Sequence, residues 1–276
     1  MLDLYAVIGN PVSHSKSPLI HTAFAQQTNQ SMQYDARLAP LDGFMLAVEN
    51  FRQQGGKGLN ITVPFKLEAH DLSTHLTERA KIAQAVNTLK FENDEILGDN
   101  TDGTGLIRDI GSNLGLSITA KRILLLGAGG ASRGVILPLL QQNPALLVIA
   151  NRTSHKAKAL QQQFISHGHI VAGDFMAFSD EKFDIIINAT SASLHNTLPE
   201  ISASVFSHAE LVYDMMYSRE LTGFLKFAQQ NGAQQLADGI GMLVEQAAES
   251  FFIWRGINPQ TKPVITMLKS HMLNQS

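Results

Sequence analysis

The chain contains no cysteine, which excludes disulfide frameworks, thiolate zinc sites and cysteine nucleophiles together. Charge is sparse as well. Charged residues make up 16% of the sequence, and 21 Lys and Arg against 24 Asp and Glu leave a net charge of −3. No basic field exists to hold nucleic acid or an anionic membrane. Nowhere does an apolar run approach the ~18 residues of a membrane span. Met1-Leu2-Asp3-Leu4-Tyr5 lacks the basic start of a secretory leader, and repeats and low-complexity tracts are missing. What is present is bulk: 276 residues, 44% of them hydrophobic, with a mean hydropathy near zero. That suffices for two domains, or one large one, without a metal or disulfide staple. Composition alone therefore predicts a soluble, cytoplasmic α/β protein.

The first hundred residues read as strands alternating with helices. Leu4–Gly9 is a short apolar strand, and Ser17-Pro18 opens a helix with an N-cap serine and a proline at N1. Met32–Leu38 reads as a strand, Leu41–Gln54 as an amphipathic helix, and Gly58–Val63 as a strand ended by Pro64. Thr77 and Glu78 start a helix running to about Gln84, and Asn87–Phe91 with Ile96-Leu97 form a two-strand return. Near residue 103 the pattern changes. Gly103–Leu114 fits a helix, and the continuous apolar runs Arg122–Leu126, Leu146–Ala150, Ile185–Ile187 and Leu211–Tyr213 read as buried parallel strands separated by helix-length segments. That grammar predicts a doubly wound parallel sheet. The helices Met242–Trp254 and Gln260–Leu273 are expected to return to the first domain. The division predicted is residues 1–102 plus 241–276 against residues 103–240.

Gly127-Ala128-Gly129-Gly130-Ala131-Ser132-Arg133-Gly134 lies between the strand ending at Leu126 and a helical stretch. A glycine turn in that place lets a backbone approach a pyrophosphate, which then rests on the positive end of the helix dipole. Ser132 replaces the third glycine of the fingerprint with another small residue. The next strand ends in Asn151-Arg152-Thr153, about 24 residues after Gly127, where NAD-binding folds place an acid for the ribose hydroxyls. No acid stands there. Arg152 and Lys156 instead offer cations suited to a 2′-phosphate, which points to NADP.

The first domain carries a scattered polar set. Ser13, Ser15 and Ser17 crowd the start of the first helix, where hydroxyls suit a carboxylate or phosphate. Alternation along Asn60-Ile61-Thr62-Val63 places Asn60 and Thr62 on one strand face, and Lys66 follows just beyond the strand's end. Asp102, in Gly98-Asp99-Asn100-Thr101-Asp102-Gly103, is either the N-cap of the next helix or a functional acid. The ten histidines include no helix-borne pair with the spacing of a zinc site.

Taken in order, these segments resemble the shikimate dehydrogenase family from Tyr5 to the C-terminal helices. The matching pieces are Asn10-Pro11 with Ser15-x-Ser17, Asn60-x-Thr62-x-Pro64-x-Lys66, Asn87-Thr88, Asn100-Thr101-Asp102-Gly103, Gly127–Arg133, Asn151-Arg152-Thr153, Asp214-x-x-Tyr217, and Gly239-x-x-Met242-Leu243-x-x-Gln246-Ala247. Two departures stand out: Gln84 where the family often has glycine, and Ser218-Arg219 in place of a proline-containing stretch. The resemblance implies an NADP-dependent enzyme of aromatic amino-acid biosynthesis that reduces 3-dehydroshikimate to shikimate, with a substrate domain and a Rossmann domain. It implies that Ser15 and Ser17 bind the substrate carboxylate with Thr62 and Tyr217 nearby. Asn60 lies in the same substrate-binding set, and Asn87, Asp102, Lys66 and Gln246 hold ring hydroxyls. Lys66, paired with Asp102, is the implied acid–base residue. Gly127, Ala128, Gly129, Gly130, Ala131, Asn151, Arg152, Thr153 and Lys156 are the implied NADP contacts, with Met215 and Gly239 near the nicotinamide and Glu78 at a further cofactor-linked position. A dual quinate/shikimate dehydrogenase and a non-catalytic sensor of the same fold remain alternatives. The expected partner is a small molecule, neither nucleic acid nor membrane, and a homodimer is left open.

Overall fold

Among residues 2–190, 192 and 197–274, which the computed structural model describes, the strands gather into two six-stranded sheets. The first is built from β1 (Asp3–Gly9), β2 (Met32–Leu38), β3 (Gly56–Ile61), β4 (His75–Leu76), β5 (Thr88–Glu92) and β6 (Glu95–Asp99), in the order β2-β1-β3-β5-β6-β4. Its helices are α1 (Ser17–Gln27), α2 (Phe44–Gln53), α3 (Lys66–Leu72) and α4 (Glu78–Ala83). β1 runs parallel to β2 and β3, while β5 is antiparallel to both β3 and β6. α5 (Asp102–Arg108) continues into a π-helical turn, Asp109–Asn113.

The second sheet is parallel throughout: β12-β11-β10-β7-β8-β9. Here β7 is Arg122–Leu126, β8 Leu146–Ala150, β9 Ile170–Gly173, β10 Ile185–Asn188, β11 Leu211–Asp214 and β12 Gln235–Ala237. The intervening helices are α6 (Gly130–Gln141), α7 (Ser154–Phe164) and α8 (Gly223–Gln230), followed by α9 (Ile240–Arg255) and α10 (Thr261–Asn274). Strands covered on both faces have no polar side to show, so β7, β8, β10 and β11 carry the apolar runs Ile123–Leu126, Leu146–Ala150, Ile185–Ile187 and Leu211–Tyr213. The short edge strands β9 and β12 are not among the strands expected from the sequence.

The chain divides into two compact units, one reaching to Gly105 and including Leu243–Leu268, the other comprising Leu106–Met242 and Lys269 onward. These limits differ from 102/103 and 240/241 by a few residues, and the last part of α10 groups with the second unit.

Local chemistry explains most boundaries. Thr77 caps α4 by accepting from the Ala80 N–H at 3.4 Å. α2 is amphipathic through Phe44, Val48 and Phe51, but begins at Phe44 and leaves Leu41 exposed. α1 starts at Ser17 itself; Lys16 takes the cap position but its side chain does not cap the helix. β3 stops at Ile61, so Val63 is exposed, and Lys66 opens a helix where a loop was expected. Gln84 ends α4 in the left-handed conformation, φ 51°, the geometry that favours glycine at a helix C-terminus.

Alternation along β1 splits the core of the first unit. Ala6 and Ile8 face Phe44, Phe51, Leu59 and Phe65, whereas Tyr5 and Val7 join Val12, Tyr34 and Trp254. Phe251 and Trp254 are buried on α9, and Phe252 is exposed. Inside this second cluster lies His21, stacked on Tyr34 with ring centroids 4.2 Å apart. Burial drives its pKa down to about 3.

Both special positions can be tested through stability. Gln84→Gly should leave the protein at least as stable, with a gain of up to about 1 kcal/mol from relieving a left-handed side chain. A lowered thermal midpoint would show that the Gln84 side chain contributes more than its backbone costs. His21 stays neutral in the native state but protonates near pH 6.5 when unfolded, so its stabilising effect is complete above that pH and is lost as pH falls toward 3. His21→Phe should therefore flatten the pH dependence of urea stability, removing roughly 2–3 kcal/mol of the decline between pH 6.5 and 4.5. An unchanged slope would mean that other groups carry the acid sensitivity.

Candidate active site

Four segments of the first unit converge on one buried polar cluster. Lys66 is the first residue of α3, and Val86 N–H donates to its carbonyl at 2.9 Å. Asn87 follows Val86 and precedes β5; its backbone is held by Ile61 on one side and Asp99 on the other. Asp102 is the first residue of α5, and Gln246 comes from α9. Lys66 Nζ donates to Asp102 Oδ2 at 2.5 Å, with both side chains largely buried. Asp102 thus serves no helix cap: its other oxygen accepts from Asn87 Nδ2 at 2.8 Å. A buried carboxylate is tolerable only when so paired.

Proton accounting shows what this cluster offers a ligand. Asn87 Nδ2 faces three acceptors: Asp102 Oδ1 at 2.8 Å, Thr101 Oγ1 at 2.9 Å and Gln246 Oε1 at 3.3 Å. It has two protons for these three, and the Thr101 hydroxyl also lies within donating distance of Gln246 Oε1, at 3.2 Å. The Lys66 ammonium has three protons and one fixed partner here, which leaves donors for a second oxygen.

Asn60 is different. Its Nδ2 lies 3.3 Å from the Asn87 carbonyl and also reaches Thr88 Oγ1 and Ser250 Oγ, which fixes the amide orientation, because an oxygen there would face another oxygen. Asn60 Oδ1 must then accept from Tyr34 O–H at 2.7 Å and from His21 Nε2–H at 3.1 Å. Both ends of the Asn60 side-chain amide thus have hydrogen-bond partners within the protein. Ser15 Oγ accepts from Ser17 N–H at 3.3 Å and keeps its proton for other use. Thr62 is half-buried beside Gly9 and Val63.

Sequence reasoning overlooked the layer beneath. Thr101 and Ser250, both fully buried, link Asn87 to Gln246 and Asn60. Ser250 lies four residues after Gln246, hence on the same helix face, a spacing that could have marked it. His21 sits among the apolar positions Ile20, Phe24 and Ala25 of α1 and carries no comparable signal.

The second unit holds the glycine turn. Gly127 has φ +110°, and a Cβ there would lie 3.2 Å from the Ala189 backbone, so glycine is required twice over. A Cβ on Gly129 would meet nothing within 4 Å, which leaves room above the turn for a ligand's phosphates. Gly129 also occupies the cap position of α6 without a side-chain acceptor, so the first N–H groups of that twelve-residue helix remain for an anion. Ser132 is fully buried with an unpartnered hydroxyl, as expected of a small residue packing helix on strand. At the end of β8, Asn151 Nδ2 donates to the Thr153 carbonyl at 3.0 Å, and Arg152 and Lys156 are exposed. Met215 and Gly239 are brought together: a Cβ on Gly239 would strike the Met215 carbonyl oxygen at 2.1 Å. Tyr217 lies half-buried two residues beyond Met215, while Glu78 is exposed on α4 in the first unit. No grouping of three or more metal-ligating side chains, and no helix long and apolar enough to cross a membrane, occurs among the described residues.

Residues 7–89 match the shikimate dehydrogenase substrate binding domain, residues 110–214 the shikimate/quinate 5-dehydrogenase family, and residues 239–266 the shikimate 5′-dehydrogenase C-terminal domain. A curated relative from Nitrosospira multiformis, named shikimate dehydrogenase (NADP(+)), is 63% identical over 272 residues, covering 99% of each chain. Among solved structures, an Ael1 enzyme from Pseudomonas putida is 51% identical with a TM-score of 0.91, covering 96% of this chain and 98% of its own. The shikimate 5-dehydrogenase of Thermus thermophilus, solved with NADP(H) and shikimate, is 27% identical with a TM-score of 0.86 over 99% of this chain and 100% of its own. With all three segments matched in order and relatives of this identity spanning nearly every residue, the chain belongs to the shikimate dehydrogenase family.

Proposed function

We propose that this chain catalyses the reversible, NADP-dependent reduction of 3-dehydroshikimate to shikimate, a step of aromatic amino-acid biosynthesis, in the cytoplasm. The observation that carries the proposal is the Lys66–Asp102 pair beside the Asn87 and Gln246 carboxamides. It is a cation held by a buried anion among groups that match ring hydroxyls. A regulator that only senses the ligand needs no such pair.

NADPH, when bound, supplies the hydride. The glycine turn Gly127–Ala131 would hold its pyrophosphate and Arg152 with Lys156 its 2′-phosphate, with Met215 and Gly239 toward the nicotinamide. Ser15 would donate to the substrate carboxylate, with Ser17 and Thr62 completing that end. Asn87, Asp102 and Gln246 would take the hydroxyls. As the ketone carbon is reduced, negative charge develops on its oxygen, and the Lys66 ammonium stabilises that charge and then gives it a proton. Asp102 holds the ammonium in place throughout. In the reverse direction neutral Lys66 accepts the hydroxyl proton, and Asp102 stabilises the ammonium that forms.

The purified protein should oxidise shikimate with NADP+, and a parallel assay with quinate separates this reading from the dual-substrate alternative. Lys66→Met should lower kcat by at least ~10²-fold with little change in KM, as loss of a general acid–base group does. Near-normal kcat would remove Lys66 from the chemistry. Arg152→Ala should weaken NADP+ by about 1.5–3 kcal/mol, the scale of charge-assisted hydrogen bonds, while leaving NAD+ nearly unchanged. Equal losses for the two cofactors would place the 2′-phosphate elsewhere.

A further inference from the structure

We propose that Arg79 is a positioning residue for catalysis, acting through Asp102; the inference rests on the functional reading above. Arg79 is the second residue of α4, and its guanidinium uses all three nitrogens. Nε and Nη2 form a fork on Asp99 at 2.7 Å each, Nη1 reaches Thr104 Oγ1 at 2.8 Å, and Nη2 also reaches Glu249 Oε1 at 3.0 Å. Asp99 precedes Asp102 by three residues and Thr104 follows it by two, so one planar group grips the chain on both sides of the catalytic carboxylate.

The segment between is tied to the same anchor. Asp99 is buried and also accepts from the Asn100 N–H at 2.7 Å and from Thr77 O–H at 2.5 Å. Asn100 Oδ1 accepts from the Asp102 N–H at 3.2 Å, while its Nδ2 donates to the Ala85 carbonyl at 2.9 Å. Glu249 stands three residues after Gln246 on α9, nearly one turn on, so the clamp reaches the second hydroxyl-facing carboxamide too. A lysine could meet one of these acceptors but not four with fixed angles; the fork geometry belongs to arginine. The hydrogen bonds of Arg79 go to Asp99, Thr104 and Glu249, not to Asp102 or Lys66, which distinguishes positioning from direct participation.

The test compares Arg79→Lys, Asp102→Asn and their double variant with the unaltered enzyme, using shikimate and NADP+ at a temperature where circular dichroism shows every variant folded. Displacing reacting groups by about 1 Å costs on the order of 10²-fold, so Arg79→Lys should lower kcat by about 10- to 100-fold with KM for NADP+ unchanged. The double variant should be no slower than Asp102→Asn alone, because Arg79 works through that carboxylate. A purely stabilising arginine would instead leave kcat per folded molecule intact, and that result overturns the inference. Multiplicative losses in the double variant, or a rise in KM for shikimate with normal kcat, overturn it as well. Should Arg79→Lys fail to fold, Thr104→Val removes one acceptor of the clamp without altering charge. A several-fold drop in kcat that disappears on the Asp102→Asn background supports the inference, and an unchanged kcat overturns it. No turnover by the unaltered enzyme would overturn the functional reading and this inference together, an outcome distinct from active enzyme with an indifferent Arg79.

Discussion

The hydrogen bond from Asn87 to Asp102 is where the scaffold of the first unit meets its chemistry. An anion as buried as Asp102 carries a desolvation penalty of several kcal/mol unless partners replace its water. Lys66 supplies the countercharge and Asn87 the second donor. Asn87 can do so because its own oxygen is occupied by the Thr101 N–H and the Thr88 hydroxyl, each at 2.9 Å. The amide therefore cannot turn over without losing two acceptor bonds in a low-dielectric interior, where each counts for more than in water.

That constraint propagates outward. Thr88 and Thr101 meet Ser250 on α9, and Ser250 meets Asn60, whose oxygen gathers Tyr34 and His21. The result is a continuous polar layer sandwiched in an otherwise aromatic and aliphatic core. Each member is satisfied except His21 Nδ1, which has no partner. A neutral imidazole is the form that suits such a place, and stacking on Tyr34 offsets part of what its orphaned nitrogen costs.

The second unit relies on backbone proximity. Asp214, fully buried at the end of β11, accepts from Asn188 at 3.1 Å, the Met216 N–H at 3.1 Å and the Thr222 hydroxyl at 2.6 Å. This fixes the turn in which the Met215 carbonyl meets Gly239, and Gly127 likewise abuts Ala189. Two glycines thus exist because another segment's backbone lies where their side chains would be.

Much of this was legible in the residues as written. The parallel strands, the glycine turn, the cations in place of an acid after β8 and the resemblance that singles out Lys66, Asp102, Asn87 and Gln246 all rest on patterns within a few dozen positions. Such patterns report torsional preference, periodicity and local charge, which a short stretch of chain largely decides for itself. The tertiary structure alone decided which polar side chains are spent on partners within the protein. Asn60 and Asn87 look equivalent in the sequence, yet the first is saturated by partners as far away as Ser250, 190 residues on. Arg79 is not singled out by any motif, and its part emerges only once Asp99, Thr104 and Glu249 are gathered around it. Hydrogen-bond capacity is consumed by whichever groups the fold delivers, and those groups come from distant segments whose arrival no local pattern encodes.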